Sequence, residues 1–232
     1  QALGVDLSAV EAAALSHGHY DHADGLRRFF VCNDRAPVYV RPGAFGPYFI
    51  LDPDSPRFIG VHRDIPEQFR SRFVQVEERL ELAEGVWLVP VTVHDPDFSG
   101  RAANLVYKRG EGDFVPDDYR HEQTLVLEGE RGLVLCSSCS HSGIVNIVRG
   151  VKEQLPGRKL FAVVGGFHMH SKSGSGINCS PEFVRRTAQE LKHLGVEEIH
   201  TGHCTGAPAL EILQESFGPG CSALEAGQVL AL

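Results

Sequence analysis

The apolar positions of the chain fall into short runs of strand length, broken by Gly, Pro and charged residues, and helix-spaced stretches gather toward the C-terminus. Val, Ile and Leu dominate the runs Val38 to Val40, Val86 to Val91, Leu105 to Tyr107, Thr124 to Leu127, Leu133 to Cys136, Leu160 to Val164, Glu198 to Thr201 and Gln228 to Leu230. Runs bounded in this way predict strands. Glu130-Arg131-Gly132, between two of them, reads as a hairpin turn. Helices are expected over Gly25 to Phe30, Gly143 to Gln154, Pro181 to Leu194 and Pro208 to Phe217. In the third, Ser180 can cap, Pro181 suits the first helical position and Gly195 suits the exit. Phe183, Val184, Thr187, Ala188, Leu191 and Leu194 then share one face at helical spacing, a stripe expected to pack into a core.

Two stretches break the pattern. Arg41 to Pro66 is rich in Pro and Gly and reads as a long surface excursion, a candidate lid or binding loop. Its aromatics, Phe45, Tyr48, Phe49 and Phe58, are expected to form a small apolar core under the loop rather than a stacking surface for substrate. Asp95 to Pro116 is irregular apart from the strand at Leu105 to Tyr107. Strands followed by alternating strand and helix predict one mixed α/β domain over residues 1–232, its sheets covered by helices.

Composition narrows the functions. The 232 residues carry 22 Lys and Arg against 30 Asp and Glu, a net charge of −8. Affinity for nucleic acid comes mainly from Lys and Arg displacing counterions, so no nucleic-acid partner is expected. An apolar share of 42% with 22% charged residues fits a folded domain and disfavours disorder. No apolar run approaches the roughly 18 residues of a membrane span, and no membrane partner is expected. Gln1 to Val5 has neither a basic start nor an apolar stretch, so no signal peptide is expected there, and the absence of an initiator Met suggests a processed, trimmed or partial chain. The six cysteines are too sparse for a disulfide framework. Cys136 and Cys139 form a lone CxxC with no second pair and are read as buried thiols. The expected location is cytoplasmic.

The histidines change the picture. Twelve occur, and Ser16-His17-Gly18-His19-Tyr20-Asp21-His22 gathers three of them with an aspartate. An apolar run, Ala12 to Leu15, leads in. Alternate residues at a strand end share a face, so His17 and His19 can project together. Asp21 and His22 lie past the turn and can point back. One short loop cannot comfortably surround a single small ion with four ligands. It can supply part of a two-metal site, His17 and His19 to one ion, Asp21 and His22 to the other. Imidazole with carboxylate suits zinc, iron, manganese or nickel. Three imidazoles and a carboxylate would be costly to desolvate together without a cation. His141, His168 and His203 each follow a predicted strand, where α/β folds assemble their sites. His62, His94, His121, His170, His193 and His200 are read as surface or core residues.

His17-x-His19-x-Asp21-His22, with downstream histidines at strand ends, resembles the signature of the metallo-β-lactamase superfamily. Leu15 to His22, Cys139-Ser140-His141-Ser142-Gly143-Ile144, Gly165-Gly166-Phe167-His168, His203-Cys204-Thr205-Gly206 and Pro116-Asp117-Asp118 with Glu122 are similar to one subgroup. Its members are named 7,8-dihydropterin-6-methyl-4-(β-D-ribofuranosyl)aminobenzene-5′-phosphate synthases. The resemblance implies an αββα sandwich that here lacks its first N-terminal strands, since the histidine cluster begins at His17. An edge left open in this way would favour homo-oligomers. It further implies two divalent metal ions, zinc by preference. His17, His19 and His141 would hold the first, and Asp21, His22 and His203 the second. The place of a bridging aspartate in many relatives holds His168 here, which leaves a single site, a water-bridged pair, or His168 as a ligand or substrate contact.

A metal-bound hydroxide acting on a small molecule is the implied chemistry, with Asp21 orienting it or accepting a proton. The alternative is a pterin-type synthase in which the metals neutralise a pyrophosphate leaving group. A third reading is a non-catalytic metal-binding scaffold. Ser142-Gly143 and Thr205-Gly206 stand at predicted helix starts, where unpaired backbone N–H groups favour anions, and are candidate contacts to a phosphate-bearing substrate.

Overall fold

Leu133, Leu135, Leu160, Val163 and Ile199, apolar residues of three of the runs, share one buried cluster, and those runs pair in parallel. In a computed structural model, residues 3–100, 104–171 and 176–231 are described, so Gln1 and Ala2 of the Gln1 to Val5 stretch lie outside the described residues. The chain forms two compact units, residues 79–102 with 124–232, and residues 1–78 with 103–123.

The first of these is built on one sheet in the order Cys221–Ala223, Glu198–Thr201, Leu160–Gly165, Gly132–Cys136, Gln123–Gly129, Val86–Pro90, Leu80–Ala83. The four strands from Cys221–Ala223 to Gly132–Cys136 run parallel. Parallel neighbours need a crossover. The helices Ile144–Gln154, Pro181–His193 and Ala207–Phe217 supply the three crossovers in sequence. Gln123–Gly129 returns antiparallel to Gly132–Cys136 through a turn at Glu130 and Arg131, as the sequence predicts.

Each helix buries one stripe on the sheet: Ile144, Val145, Ile147, Val148 and Val151 from the first, Val184, Ala188 and Leu191 from the second, Ala209, Leu213 and Phe217 from the third. The predicted stripe is the observed one, with Phe183 and Leu194 packed at its margins. Ser180 caps the second helix by accepting a hydrogen bond from the Phe183 amide at 3.1 Å. Gly195 leaves it with φ of 98°.

The other unit holds two sheets. Ala13–Ala14, Val38–Val40 and Phe73–Gln75 pair in parallel. Pro56–Phe58, Tyr48–Leu51, Leu105–Gly110 and Asp113–Pro116 form an antiparallel meander. Leu15, Phe29, Phe30, Val38, Val40, Val61 and Ile65 make its core, with Phe30 stacked on Phe69 at 4.3 Å.

Two expectations change. The segment 41–66 is not irregular chain, since it contains the strands Tyr48–Leu51 and Pro56–Phe58. Its aromatics pack on partners, Phe49 against Phe58 and Phe114 and Phe45 against Phe73, which is the small apolar core expected of them. Gln228 to Leu230 forms no strand. The Gln228 amide closes a turn onto Glu225 O, Val229 is exposed, and the edge position is taken by Cys221–Ala223 instead. Among the described residues no helix is long and apolar enough to cross a membrane.

Phe161 is fully buried. Phe161→Ala should cost about 3–5 kcal/mol in urea unfolding, whereas Val31→Ala, at an exposed position, should stay within about 0.5 kcal/mol. Equal effects would contradict this core.

Candidate metal centre

In the unit containing the N-terminal segment, the strand Ala13–Ala14 ends just before Ser16, and the short helix Tyr20–Ala23 begins after His19. This strand-to-helix switch folds the cluster onto itself. The His17 ring lies 4.7 Å from that of His19 and 4.5 Å from that of His22, centroid to centroid. His17 and His19 are buried. Asp21 Oδ2 stands 3.4 Å from His22 Nε2, and its side chain is 45% exposed. Gly18 separates the first two histidines because the chain there passes against Ala44. A Cβ on Gly18 would sit 2.2 Å from the Ala44 carbonyl oxygen.

A residue read as ordinary joins this cluster. His121 is almost fully buried, its ring 5.5 Å from that of His19 and 4.1 Å from that of Tyr48. The Gly18 amide donates to His121 Nδ1 at 2.8 Å. That bond leaves the proton of a neutral ring on Nε2, which donates to Asp117 Oδ2 at 3.1 Å. The same carboxylate oxygen is 3.9 Å from His19 Nε2. Asp117 Oδ1 accepts from the Tyr119 amide at 2.9 Å. Donor atoms of His19, Asp117 and His121 lie within 4.8 Å of one another.

Charge follows from these contacts. Burial pushes the His19 imidazole toward its neutral form, against the pull of Asp117. Burial would raise the Asp117 carboxyl, but the bonds from His121 and His19 outweigh it and hold the group well below the usual carboxylate range. Burial would likewise raise the Asp21 carboxyl, and His22 more than offsets it, so that this group is also lowered. The only clue to His121 in the sequence is its place in the segment 116–122 that holds Asp117, Asp118 and Glu122.

In the other unit, the loops after three adjacent parallel strands carry the remaining candidates. Gly132–Cys136 is followed by Cys139 and His141, Leu160–Gly165 by His168, and Glu198–Thr201 by His203 and Cys204. His141 is buried, with its ring 4.3 Å from that of His168. His203 is exposed, and Cys204 beside it is buried. Donor atoms of Cys139, His141 and His168 lie within 4.8 Å of one another, as do those of Cys139, His203 and Cys204. The Cys204 thiol is pulled down to about 4 by Cys139 and His168 beside it, against its burial.

The candidate phosphate contacts have structural duties. Gly143 and Gly206 cap the helices Ile144–Gln154 and Ala207–Phe217 with φ of 93° and 76°. Ser142 is buried. Thr205 is buried, its hydroxyl accepting from the Phe167 amide at 2.9 Å and lying 2.6 Å from the Thr201 hydroxyl. His62 Nδ1 lies 2.8 Å from Asp24 Oδ1, His170 Nδ1 is 3.0 Å from Cys204 O, and His200 Nδ1 is 2.8 Å from Ser222 Oγ. His94 and His193 are exposed.

Imidazole nitrogens, carboxylates and thiols converging inside a protein fit a borderline transition metal such as zinc or iron better than magnesium or calcium, which take oxygen donors.

No family model matches the chain. A 7,8-dihydropterin-6-methyl-4-(β-D-ribofuranosyl)-aminobenzene-5′-phosphate synthase of Methanocaldococcus jannaschii is 29% identical over 235 residues, covering 98% of this chain and 77% of the relative. An uncharacterised protein of the same organism is 26% identical over 205 residues, 87% of this chain and 71% of its own length. Among solved structures, Tm1679, described as a metal-dependent hydrolase of the β-lactamase superfamily, superposes with a TM-score of 0.81 at 26% identity, covering all of this chain and 82% of that one. An isothiocyanate hydrolase from Delia radicum gut bacteria shares the fold at 15% identity, with a TM-score of 0.55 over 99% of this chain and 80% of its own.

His121→Phe keeps a ring in place but removes the bonds to Gly18 and Asp117. It should cost about 1–3 kcal/mol for each polar group left unsatisfied, measured by denaturant unfolding of metal-free protein. A loss below about 0.5 kcal/mol would mean that this network does not hold the loop.

Proposed function

The chain belongs to the metallo-β-lactamase superfamily, and on that premise we propose that it is a metal-dependent enzyme of hydrolase type acting on a small, phosphate-bearing substrate. Its fold is the metallo-β-lactamase-like α/β fold. The observation that carries the reading is the packing of the His19 and His22 imidazoles against that of His17, with His17 and His19 buried. Clustered buried imidazoles are expensive to desolvate and are the commonest metal ligands.

The proposed ligands are His17, His19, Asp21 and His22 in one unit and His141 and His203 in the other, with His168 as a further ligand or substrate contact. Two divalent ions, zinc by preference, would supply Lewis acidity and lower the pKa of water. The chain's own residues do the rest. Asp21 is lowered by His22, so it is ionised near neutrality, and its partly exposed oxygens can orient a water or accept its proton. Asp117 and His121 position rather than react. The carboxylate lies beside His19 Nε2, which favours a proton there and leaves Nδ1 of that ring with its lone pair. The first-turn amides of Ile144–Gln154 and Ala207–Phe217 favour an anion and support the phosphate-bearing class.

A second reading, a pterin-type synthase that releases pyrophosphate, is favoured by the similarity over nearly the whole chain to the M. jannaschii synthase. The two readings differ in product, since only the second forms pyrophosphate from a dihydropterin diphosphate.

Plasma mass spectrometry on wild type, His17→Ala and His141→Ala, with a screen of phosphate esters, lactones and dihydropterin diphosphates, tests the proposal. About two ions per chain are expected in wild type. Each variant should bind less, and turnover should disappear on chelation and return with zinc. Folded wild type that takes up no metal, or turnover indifferent to chelation, would overturn it. Metal binding without turnover of any of these substrates would favour a scaffold.

A further inference from the structure

Two of the donors gathered in the second group are sulfurs. Cys139 and Cys204 are both buried, at 3% and 4% exposure, and neither is in a disulfide. Cysteine has one ligand atom, so the two donor sets of this unit share it. The Cys139 sulfur lies within 4.8 Å of donor atoms of His141 and His168, and within 4.8 Å of donor atoms of His203 and Cys204. The sequence reading gave the conventional place of a bridging carboxylate to His168. The common donor in this unit is a sulfur.

The Cys204 thiol reaches Cys139 O at 3.7 Å, and a neighbouring amide can support the sulfur once that proton has left. The His168 amide donates to it at 3.3 Å. Gly166 leaves the space it occupies, for a Cβ there would meet the Cys204 sulfur at 2.6 Å. Amide bonds to sulfur are a means by which proteins stabilise metal-bound thiolates. The ordinary role of a buried cysteine is that of a small apolar side chain, and Cys221 shows it, packed in the apolar cluster beneath the helices. Cys139 and Cys204 sit among imidazoles instead.

We propose that Cys139 is a thiolate ligand common to the two donor sets, with Cys204 as a second thiolate in the set that includes His203. The inference rests on the metal-dependent reading above and refines it. A centre with soft donors selects a thiophilic divalent ion, zinc, cobalt or iron, over magnesium and manganese. Each thiol releases its proton to solvent as the metal binds, so uptake is accompanied by proton release.

X-ray absorption on the zinc-loaded full chain, with near-ultraviolet spectra of the cobalt-loaded chain, tests the assignment without any assay of turnover. Wild type should show a sulfur shell at about 2.3 Å beside the nitrogen and oxygen shell, and a sulfur-to-cobalt charge-transfer band. Cys139→Ser should weaken both, and the Cys139→Ser/Cys204→Ser double variant should abolish both, while Cys221→Ser leaves them unchanged. Bound metal with only nitrogen and oxygen neighbours in wild type overturns the thiolate assignment and leaves the metal-dependent reading standing. A sulfur shell that survives in the folded double variant also overturns it. Folded wild type that binds neither metal overturns both. The wild-type spectra decide the matter even where a variant fails to fold.

Discussion

Parallel pairing is the constraint on which the unit of residues 79–102 and 124–232 depends. Leu133 faces Leu160, Val163 faces Ile199, and Ile199 faces Cys221, all with the same strand direction. Parallel strands cannot be joined by a tight turn, so every C-terminal end must leave the sheet through a loop and return through a helix. The apolar residues that fix this register fill the strands and the helix faces. The histidines and cysteines whose donor atoms gather here are thereby kept out of the strands and α-helices, in the segments after three neighbouring strands. Cys139, His141, His168, His203 and Cys204 are brought together by that exclusion. The donors need no attraction for one another, because hydrophobic burial elsewhere holds them in place.

The unit of residues 1–78 and 103–123 meets a different demand. Its histidine loop is buried, and buried polar groups are costly unless hydrogen-bonded. The Gly18 amide, His121 and Asp117 answer this as a chain of donors and acceptors, in which one imidazole accepts a hydrogen bond from the backbone and donates one to a carboxylate. Those two hydrogen bonds fix the tautomer of His121 and hold Asp117 with its Oδ2 3.9 Å from His19 Nε2. Tyr48 lies against the His121 ring, so the meander strand that carries it forms one wall of the network. The segment 41–66, Pro-rich and loop-like in composition, is part of the scaffold for the same reason.

What could be read from the chain was whatever its local pattern determined. The hairpin at Glu130 and Arg131, the capped helix from Pro181 and the cluster from His17 to His22 each depend on residues a few positions apart. His121 was not legible, because its meaning lies in a bond to Gly18 across 103 residues. Strands Tyr48–Leu51 and Pro56–Phe58 were hidden by the turn residues between and around them, while the pairing of Tyr48–Leu51 with Leu105–Gly110 is long-range. The final edge strand went the other way. Gln-Val-Leu at 228–230 has better strand composition than Cys-Ser-Ala at 221–223, yet the shorter link from Phe217 and the fit of Cys221 opposite Ile199 decide the pairing. Tertiary fit outweighs propensity for so short an edge.

Backbone strain points to the same loops from a separate direction. Ser140, His168 and His203 are non-glycine residues with φ of 55°, 48° and 49°, one after each of the three adjacent strands. Such a conformation costs of order 1–3 kcal/mol apiece and persists only where surrounding contacts enforce it. Those contacts are present. The Ser140 hydroxyl donates to Gly166 O at 2.7 Å, Asn178 Nδ2 donates to His168 O at 2.9 Å, and the Thr205 amide donates to Gly202 O at 2.9 Å around His203. Glycine would relieve the strain at each position, and glycines are plentiful close by, at Gly143, Gly165, Gly166, Gly202 and Gly206. At two of the three the chain keeps an imidazole instead, where its backbone least easily accepts one. Stability alone does not account for an imidazole at these two positions.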